Sequence, residues 1–163
     1  MQTVTRFGEP EDFAKAREMD PHFDPEFLRW KLGRREVVLA ENGGELLGYM
    51  RLEYIWSTVP YIGLILVKEG RRAQGIGKKL LAFASEDLKK RGHRYLYSSS
   101  QVNEAEPQSW HRHVGFEEAG IVSGINEGGI GEVFFKKRCS MECAEMPQQA
   151  KNNAAIAEGE RQT

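Results

Sequence analysis

The sequence predicts a single α/β domain built on a mixed sheet, and three observations carry that expectation. Helix-like and strand-like runs follow one another in the order α-α-β-β-β-α-β-α-β-β. A continuous apolar run, "YIGLILV" at residues 61–67, leads into a Gly-rich turn and then a strongly periodic helix, as in a strand buried inside a sheet. The chain has 163 residues, 40% of them hydrophobic and 29% charged, which suits one domain with one core.

The elements follow in order. "EPEDFAKAREMD", from Glu9, gathers acidic residues in its first turn and is followed by Pro21, so it reads as a short helix. "DPEFLRWKLG" places Asp24 at the N-cap, Pro25 at the first helical position and Gly33 at the stop; Phe27, Leu28 and Trp30 form its expected apolar side. "EVVLAENGGELLGYMRLEYI" is a hairpin turned at Asn42-Gly43-Gly44. Residues 61–67 form the next strand. In "GIGKKLLAFASEDLKKRG", Ile76, Leu80, Ala84 and Leu88 make one apolar stripe, and Lys89, Lys90, Arg91 and Gly92 close the helix. "RYLYSSS" is a strand. Pro107 opens a short helix that Gly115 ends. "FEEAGIVSGI" and "IGEVFFKKR" are the last strands, joined through Asn126-Glu127-Gly128-Gly129. The domain spans residues 1–137, and 138–163 is a polar tail without an apolar period.

Composition excludes several classes. A net charge of −1 supplies no bulk field for nucleic acid or anionic membranes. No apolar run approaches the roughly 18 residues of a membrane span, and the N-terminus lacks a signal-like apolar core. A cytoplasmic location is expected. Cys139 and Cys143 are too few for a zinc site and read as free thiols. A homodimer is compatible with all of this.

The chemistry concentrates in "VKEGRRAQGIGKKLL", residues 67–81. Glycines at 75 and 77 lack the Cβ atoms that block close backbone approach. The N–H groups of residues 73–78 can then converge at a helix N-terminus, where a phosphate or pyrophosphate is favoured. Arg71, Arg72, Lys78 and Lys79 add positive charge. The alternative is a solvent-exposed basic turn. The stretch is neither a P-loop nor a dinucleotide fingerprint.

Arg72-x-x-Gly75-x-Gly77, between an apolar strand and an amphipathic helix, resembles the acetyl-CoA loop of the GNAT N-acetyltransferase superfamily. "RYLYSSSQVNEAEPQSWHRHVGFEEAG" is similar to the family's next strand and helix, including the closing Gly-Phe. The resemblance covers residues 1 to about 137. It implies a mostly antiparallel, twisted sheet of about six to seven strands flanked by about four helices. It also implies acetyl-CoA as co-substrate, no metal, and a primary amine, small or peptidic, as acceptor. CoA pyrophosphate would rest on the backbone of Arg72, Ala73, Gln74, Gly75, Ile76, Gly77 and Lys78. The pantetheine arm would lie along Leu66 and Val67, with Asn103 near its contact, one residue out of the usual spacing. The amine would attack directly, and a backbone N–H near Val67 would steady the oxyanion.

The family's strand glutamate falls here on Gly63, which cannot titrate. Glu53, Tyr54 and Glu104 are the candidate bases. The family's tyrosine acid, five residues before the Phe of Gly-Phe, falls on His111, whose imidazole is able to donate a proton near neutrality. On a helix at about 100° per residue, Trp110 and Val114 mark the buried side, and His111 and His113 flank it about 160° apart. One helix cannot aim both at one metal. His111 is expected to face the cleft, and His113 the surface or packing. The competing reading is a non-catalytic acyl-CoA-binding or regulatory module on the same fold.

Overall fold

The computed structural model describes residues 2–139, so most of the expected tail, Cys143 included, lies outside the described residues. Seven strands form one sheet: β1 (Val4–Phe7), β2 (Val37–Asn42), β3 (Glu45–Ile55), β4 (Val59–Val67), β5 (Tyr95–Gln101), β6 (Glu117–Val122) and β7 (Glu132–Arg138). Their order across the sheet is β1-β2-β3-β4-β5-β7-β6. Every neighbouring pair is antiparallel except β4 with β5. The helices are α1 (Phe13–Met19), α2 (Pro25–Gly33), α3 (Ile76–Lys90) and α4 (Ala105–His113). The chain is thus a mixed, mostly antiparallel α/β domain, as the sequence leads one to expect.

Each face of the sheet has its own core. On one, the α3 stripe Ile76, Leu80, Ala84 and Leu88 is fully buried against Met50, Leu52, Ile62, Leu96 and Phe135. On the other, Ala16 of α1 and Leu28 and Leu32 of α2 pack on Val37, Leu39 and Tyr49. The caps explain the helix limits. Asp24 accepts from the N–H groups of Glu26 and Phe27, and Pro25 occupies the first turn. The β2–β3 turn holds Gly43 at φ 58° and Gly44 at φ 84°, the pair of positive angles that a two-residue hairpin requires.

Two expectations need correction. The chain begins with a strand, not a helix: β1 pairs with β2 from Val4↔Glu41 to Phe7↔Val38. Four residues at a sheet edge carry almost no periodicity, so their pairing is set by tertiary contacts. The buried face of α2 is Leu28, Lys31 and Leu32, whereas Phe27 and Trp30 are 60% and 53% exposed. The i, i+4 spacing of Leu28 and Leu32 selects that face, and Trp30 instead lies under the Arg34 guanidinium, 4.5 Å from its centroid.

Gly48 fixes how closely α3 approaches the sheet. A Cβ there would lie 2.7 Å from Ile76 Cγ2 and 3.1 Å from Leu80 Cδ1. Those atoms belong to the first turns of α3, so Gly48 also sets the position of the loop before that helix. Overpacking of this kind typically costs about 1–3 kcal/mol, and Gly48→Val should lower stability by that amount in urea unfolding.

Candidate active site

The site is organised by strands that part. Between β4 and β5 a single register pair forms, Tyr61↔Tyr97. Beyond it the two parallel strands diverge toward their C-terminal ends. The β3 side of β4 stays paired, through Tyr49↔Leu66 and Gly48↔Val67. Leu66 and Val67 therefore keep one backbone edge in the sheet and turn the other toward the opening. A bulge contributes to the divergence: Arg51 pairs with Leu64 and Leu52 with Ile62, leaving Gly63 as the extra residue on β4.

The loop after β4 stands at the mouth of this opening. Three residues take left-handed angles, Gly70 (φ 76°), Ala73 (φ 61°) and Gly75 (φ 76°). Ala73 carries a Cβ in that region, a strained choice that concentrates at functional sites. Left-handed residues in such a loop can turn neighbouring N–H groups toward one concavity. Among the described residues, no backbone carbonyl outside α3 accepts from the N–H groups of residues 72–78. The loop is braced from behind: Arg71 N donates to Lys68 O, and Lys68 and Arg71 both reach Glu45. Arg72, Ala73, Gln74, Gly75 and Lys78 are exposed, while Ile76 anchors the helix start in the core. Gly77 departs from the simple reading of a glycine cleared for a ligand. It lies in the first turn of α3, and a Cβ there would meet Trp110 Cζ2 at 3.3 Å. Its missing side chain lets α4 pack on α3.

Asn103 and Glu104 are exposed at the C-terminal end of β5, the same end of the sheet as the loop. Glu104 holds the N-cap position of α4, and its Oε2 accepts weakly from Gln101 N at 3.4 Å. Tyr54 sits at the opposite end, paired with Pro60 and bonded by Arg91. The structure does not bring it to the opening.

Glu53 is brought there. It lies opposite Tyr61 on β3, and its side chain covers Gly63: a Cβ at 63 would meet Glu53 Cγ at 2.6 Å. A carboxylate from the neighbouring strand thus occupies the space above the bulged glycine. It is held on both sides, with Lys31 Nζ 2.7 Å from Oε2 and the Arg51 guanidinium on Oε1. Lys31 is itself buried and also bonds Glu36 and Leu52 O. Arg51 also pairs with Asp20 at 2.7 Å and stacks on Phe23.

His111 does not face the opening. It is 4% exposed and packs flat on Phe135, with ring centroids 4.7 Å apart, and edge-on to Phe116. Its Nδ1 lies 2.8 Å from Pro107 O and its Nε2 2.7 Å from Ser98 Oγ. A carbonyl only accepts, so Nδ1 carries the proton, and the neutral ring accepts at Nε2 from the Ser98 hydroxyl. Burial holds the imidazole below its ordinary value, the Pro107 hydrogen bond opposing it only in part. His113 is exposed.

Sequence reasoning missed a second polar chain at the fork. Tyr61 Oη lies 2.5 Å from Ser99 Oγ, Ser99 donates to Glu132 Oε1, and Asn126 Nδ2 donates to Glu132 Oε2 at 2.8 Å. The only signal available was alternation: Tyr97, Ser99 and Gln101 share one face of β5, and Glu132 and Phe134 share the matching face of β7. On the α3 side, a groove of about 570 Å³ runs between α3 and the end of α4, with Lys78, Ser85 and Lys137 among its walls. Cys139 closes it, buried as a free thiol pushed up to about 11 by desolvation.

The comparisons agree with this geometry. The model of the acetyltransferase (GNAT) family matches residues 6–116. Among solved structures, the ribosomal-protein-S18-alanine N-acetyltransferase of Escherichia coli superposes with a TM-score of 0.73 at 18% identity, over 90% of this chain and 99% of that one. A ribosomal-protein-alanine N-acetyltransferase of Brucella melitensis gives 0.70 at 21% identity, over 83% and 99%. The yncA protein of Salmonella typhimurium, solved with its cofactor acetyl-CoA, gives 0.71 at 17% identity, over 88% and 98%. No curated protein sequence matches the chain. With the family model covering most of the domain, and the forked sheet and glycine loop in place, this chain belongs to the GNAT acetyltransferase family.

Proposed function

We propose that this protein is an N-acetyltransferase that moves an acetyl group from acetyl-CoA to a primary amine in a ternary complex. One observation carries the reading: β4 and β5 lose their pairing after Tyr61↔Tyr97, and the loop that follows β4 has N–H groups with no backbone acceptors outside α3 among the described residues. An opening with one row of free backbone groups suits an extended amide-bearing arm, which adds to it as a strand would. Converging N–H groups at a helix start suit a pyrophosphate.

The residues fit the co-substrate. Arg72, Ala73, Gln74, Gly75, Ile76, Gly77 and Lys78 would hold the pyrophosphate through backbone N–H groups, with Arg72 and Lys78 adding charge. Leu66 and Val67 would align the pantetheine amides, and Asn103 stands on the other side of the mouth. The basic groove beside Lys78 leads away from the loop and would take the adenosine end. Bound acetyl-CoA supplies the acetyl thioester. A free N–H on the β5 side of β4 near Val67 would stabilise the oxyanion. The acceptor enters over the other face of the sheet, where Asp20, Glu53 and Glu132 lie. Asp20 and Glu53 are paired with Arg51 and Lys31, which leaves Glu132, hydrogen-bonded by Ser99 and Asn126, as the carboxylate that would attract a cationic amine before it sheds its proton.

The roles expected of side chains shift accordingly. Glu53 is bridged by Lys31 and Arg51, so both of its oxygens are engaged and it orients the floor of the acceptor side. His111 serves as a neutral strut that joins α4 to β5 through Ser98. Glu104 stands at the N-cap position of α4 without a side-chain capping bond, exposed at the mouth where an incoming ligand would meet it.

Acetyl-CoA titrated calorimetrically into the protein should bind, and CoA should be released in a panel of polyamines, aminoglycosides, amino acids and peptides with free N-termini. Gly75→Val forces a β-branched residue into the left-handed region at about 1–2 kcal/mol. No atom lies within 4 Å of the added Cβ, so the core should hold while acetyl-CoA affinity falls about tenfold. Unchanged affinity in Gly75→Val would refute the loop assignment, and binding without CoA release by any amine would favour the non-catalytic module.

His111 has its own test. Its folded value is depressed, so the unfolded state binds the extra proton. The stability this contributes is present above the ordinary value of about 6.5 and is lost as pH falls below it. In urea unfolding from pH 7.5 to 5, His111→Phe should flatten part of that fall, leaving the share of His93, which is shifted in the same direction. At pH 8, kcat should stay within about tenfold of wild type; a loss of about 10²-fold or more would return the imidazole to the chemistry.

A further inference from the structure

We propose that Tyr61, Ser99 and Glu132 form a directed proton relay that takes the proton from the attacking amine. The inference rests on the acetyltransferase reading above and names the base that reading lacks. Its first support is position. Tyr61 occupies the last paired position before β4 and β5 diverge, and Ser99 lies two residues further along β5 on the same face. The Tyr61–Ser99 contact therefore crosses the fork at its root, where a nucleophile approaching from the α1–α2 side meets the opening.

The second support is polarity. Glu132, as a carboxylate, only accepts, so the Ser99 hydroxyl must donate to it. Ser99 then has only lone pairs left for Tyr61, so the phenol donates to Ser99. The order Tyr61→Ser99→Glu132 is set from the carboxylate end, over two O···O distances of 2.5 Å. Asn126 holds the other carboxylate oxygen at 2.8 Å and keeps Glu132 aimed at Ser99. Tyr61 retains a lone pair to accept an N–H. Burial raises the Tyr61 phenol above its ordinary value, so it stays protonated and available as a link.

The surroundings distinguish this carboxylate from its rival. Glu53 and Arg51 from β3 act on Tyr61 electrostatically with opposite signs, and Phe134 from β7 lies beside its ring. Glu53 is clamped by two cations, whereas the hydrogen bonds found for Glu132 come only from neutral donors.

The step balances. As the amine nitrogen bonds to the acyl carbon it becomes acidic, and its N–H bond breaks as an O–H bond forms at Tyr61 Oη. The Tyr61 proton moves to Ser99 Oγ, and the Ser99 proton moves to Glu132 Oε1. Both hydroxyls end with one proton each, the carboxylate becomes a carboxylic acid, and the nitrogen loses its positive charge. Tyr61 is the catalytic residue; Ser99 and Glu132 act through it.

Two measurements test this. With spermidine and, separately, a hexapeptide bearing a free N-terminal alanine, Ser99→Ala and Glu132→Gln should each lower kcat about 10²-fold. The KM for acetyl-CoA should not change, and the solvent deuterium isotope effect should alter. Ser99→Thr, which restores a hydroxyl, should recover most of the rate. The double variant should be no worse than either single one, as for residues that act as a unit. Acetyl-CoA binding with wild-type kcat in Ser99→Ala, or in Glu132→Gln, would overturn the relay alone. No acetyl-CoA binding by the wild-type protein would overturn the acetyltransferase reading, and the relay with it.

Discussion

The rest of this structure depends on the parting of two parallel strands. In the interior of a sheet, backbone N–H and C=O groups ordinarily pair, and leaving them unpaired costs free energy comparable to the lost bonds. Here β4 and β5 share one register pair and then separate. The sheet stays intact because each strand is firmly paired on its outer side, β4 with β3 and β5 with β7. The fork is thus a gap within a continuous scaffold, bounded by rigid elements on both flanks, and a gap of that kind favours a ligand with its own amides.

Three local features hold the fork open at a fixed width. The Gly63 bulge bends β4 at the point of divergence. Trp110 on α4 packs against the bare Gly77 of α3, so the helices that follow the two strands meet above the opening. Tyr61, Ser99 and Glu132 tie the root of the fork on the opposite face. One device lies in the sheet and one on each side of it. None involves the exposed loop, which can therefore carry the strain of Ala73 without weakening the core.

The sequence disclosed what is local. The α3 stripe, the Asn42-Gly43-Gly44 turn and the Asp24-Pro25 helix start each follow from one short stretch whose chemistry has a single physical use, whereas of the loop glycines at 75 and 77 only Gly75 takes a left-handed angle and Gly77 serves helix packing. What stayed hidden depends on partners far away in the chain. β1 exists because β2 offers an edge. Trp56 and Ser57 turn the β3–β4 hairpin with φ of 50° and 63°, although neither residue type favours that region, and Trp56 is left 86% exposed. A helical wheel places His111 at the flank of the apolar side. Only the approach of Phe135 and Ser98, from β7 and β5, makes that flank the interior.

Gly63 and Glu53 show how such distant placement bears on chemistry. A side chain can reach a given point in a sheet from its own strand or from the adjacent one, provided that the nearer residue leaves room. Gly63 leaves room, and the bulge brings Glu53 and Arg51 together above it. The carboxylate arrives already paired, however, because β3 lies over α2, and α2 brings Lys31 with it. Moving a carboxylate to the covered half of the sheet surrounds it with cations. Glu132 lies on the half that α1 and α2 do not reach, and its hydrogen bonds come from a serine and an asparagine. In one sheet, then, the packing of two N-terminal helices separates a carboxylate anchored by two cations from one whose hydrogen bonds come from neutral side chains.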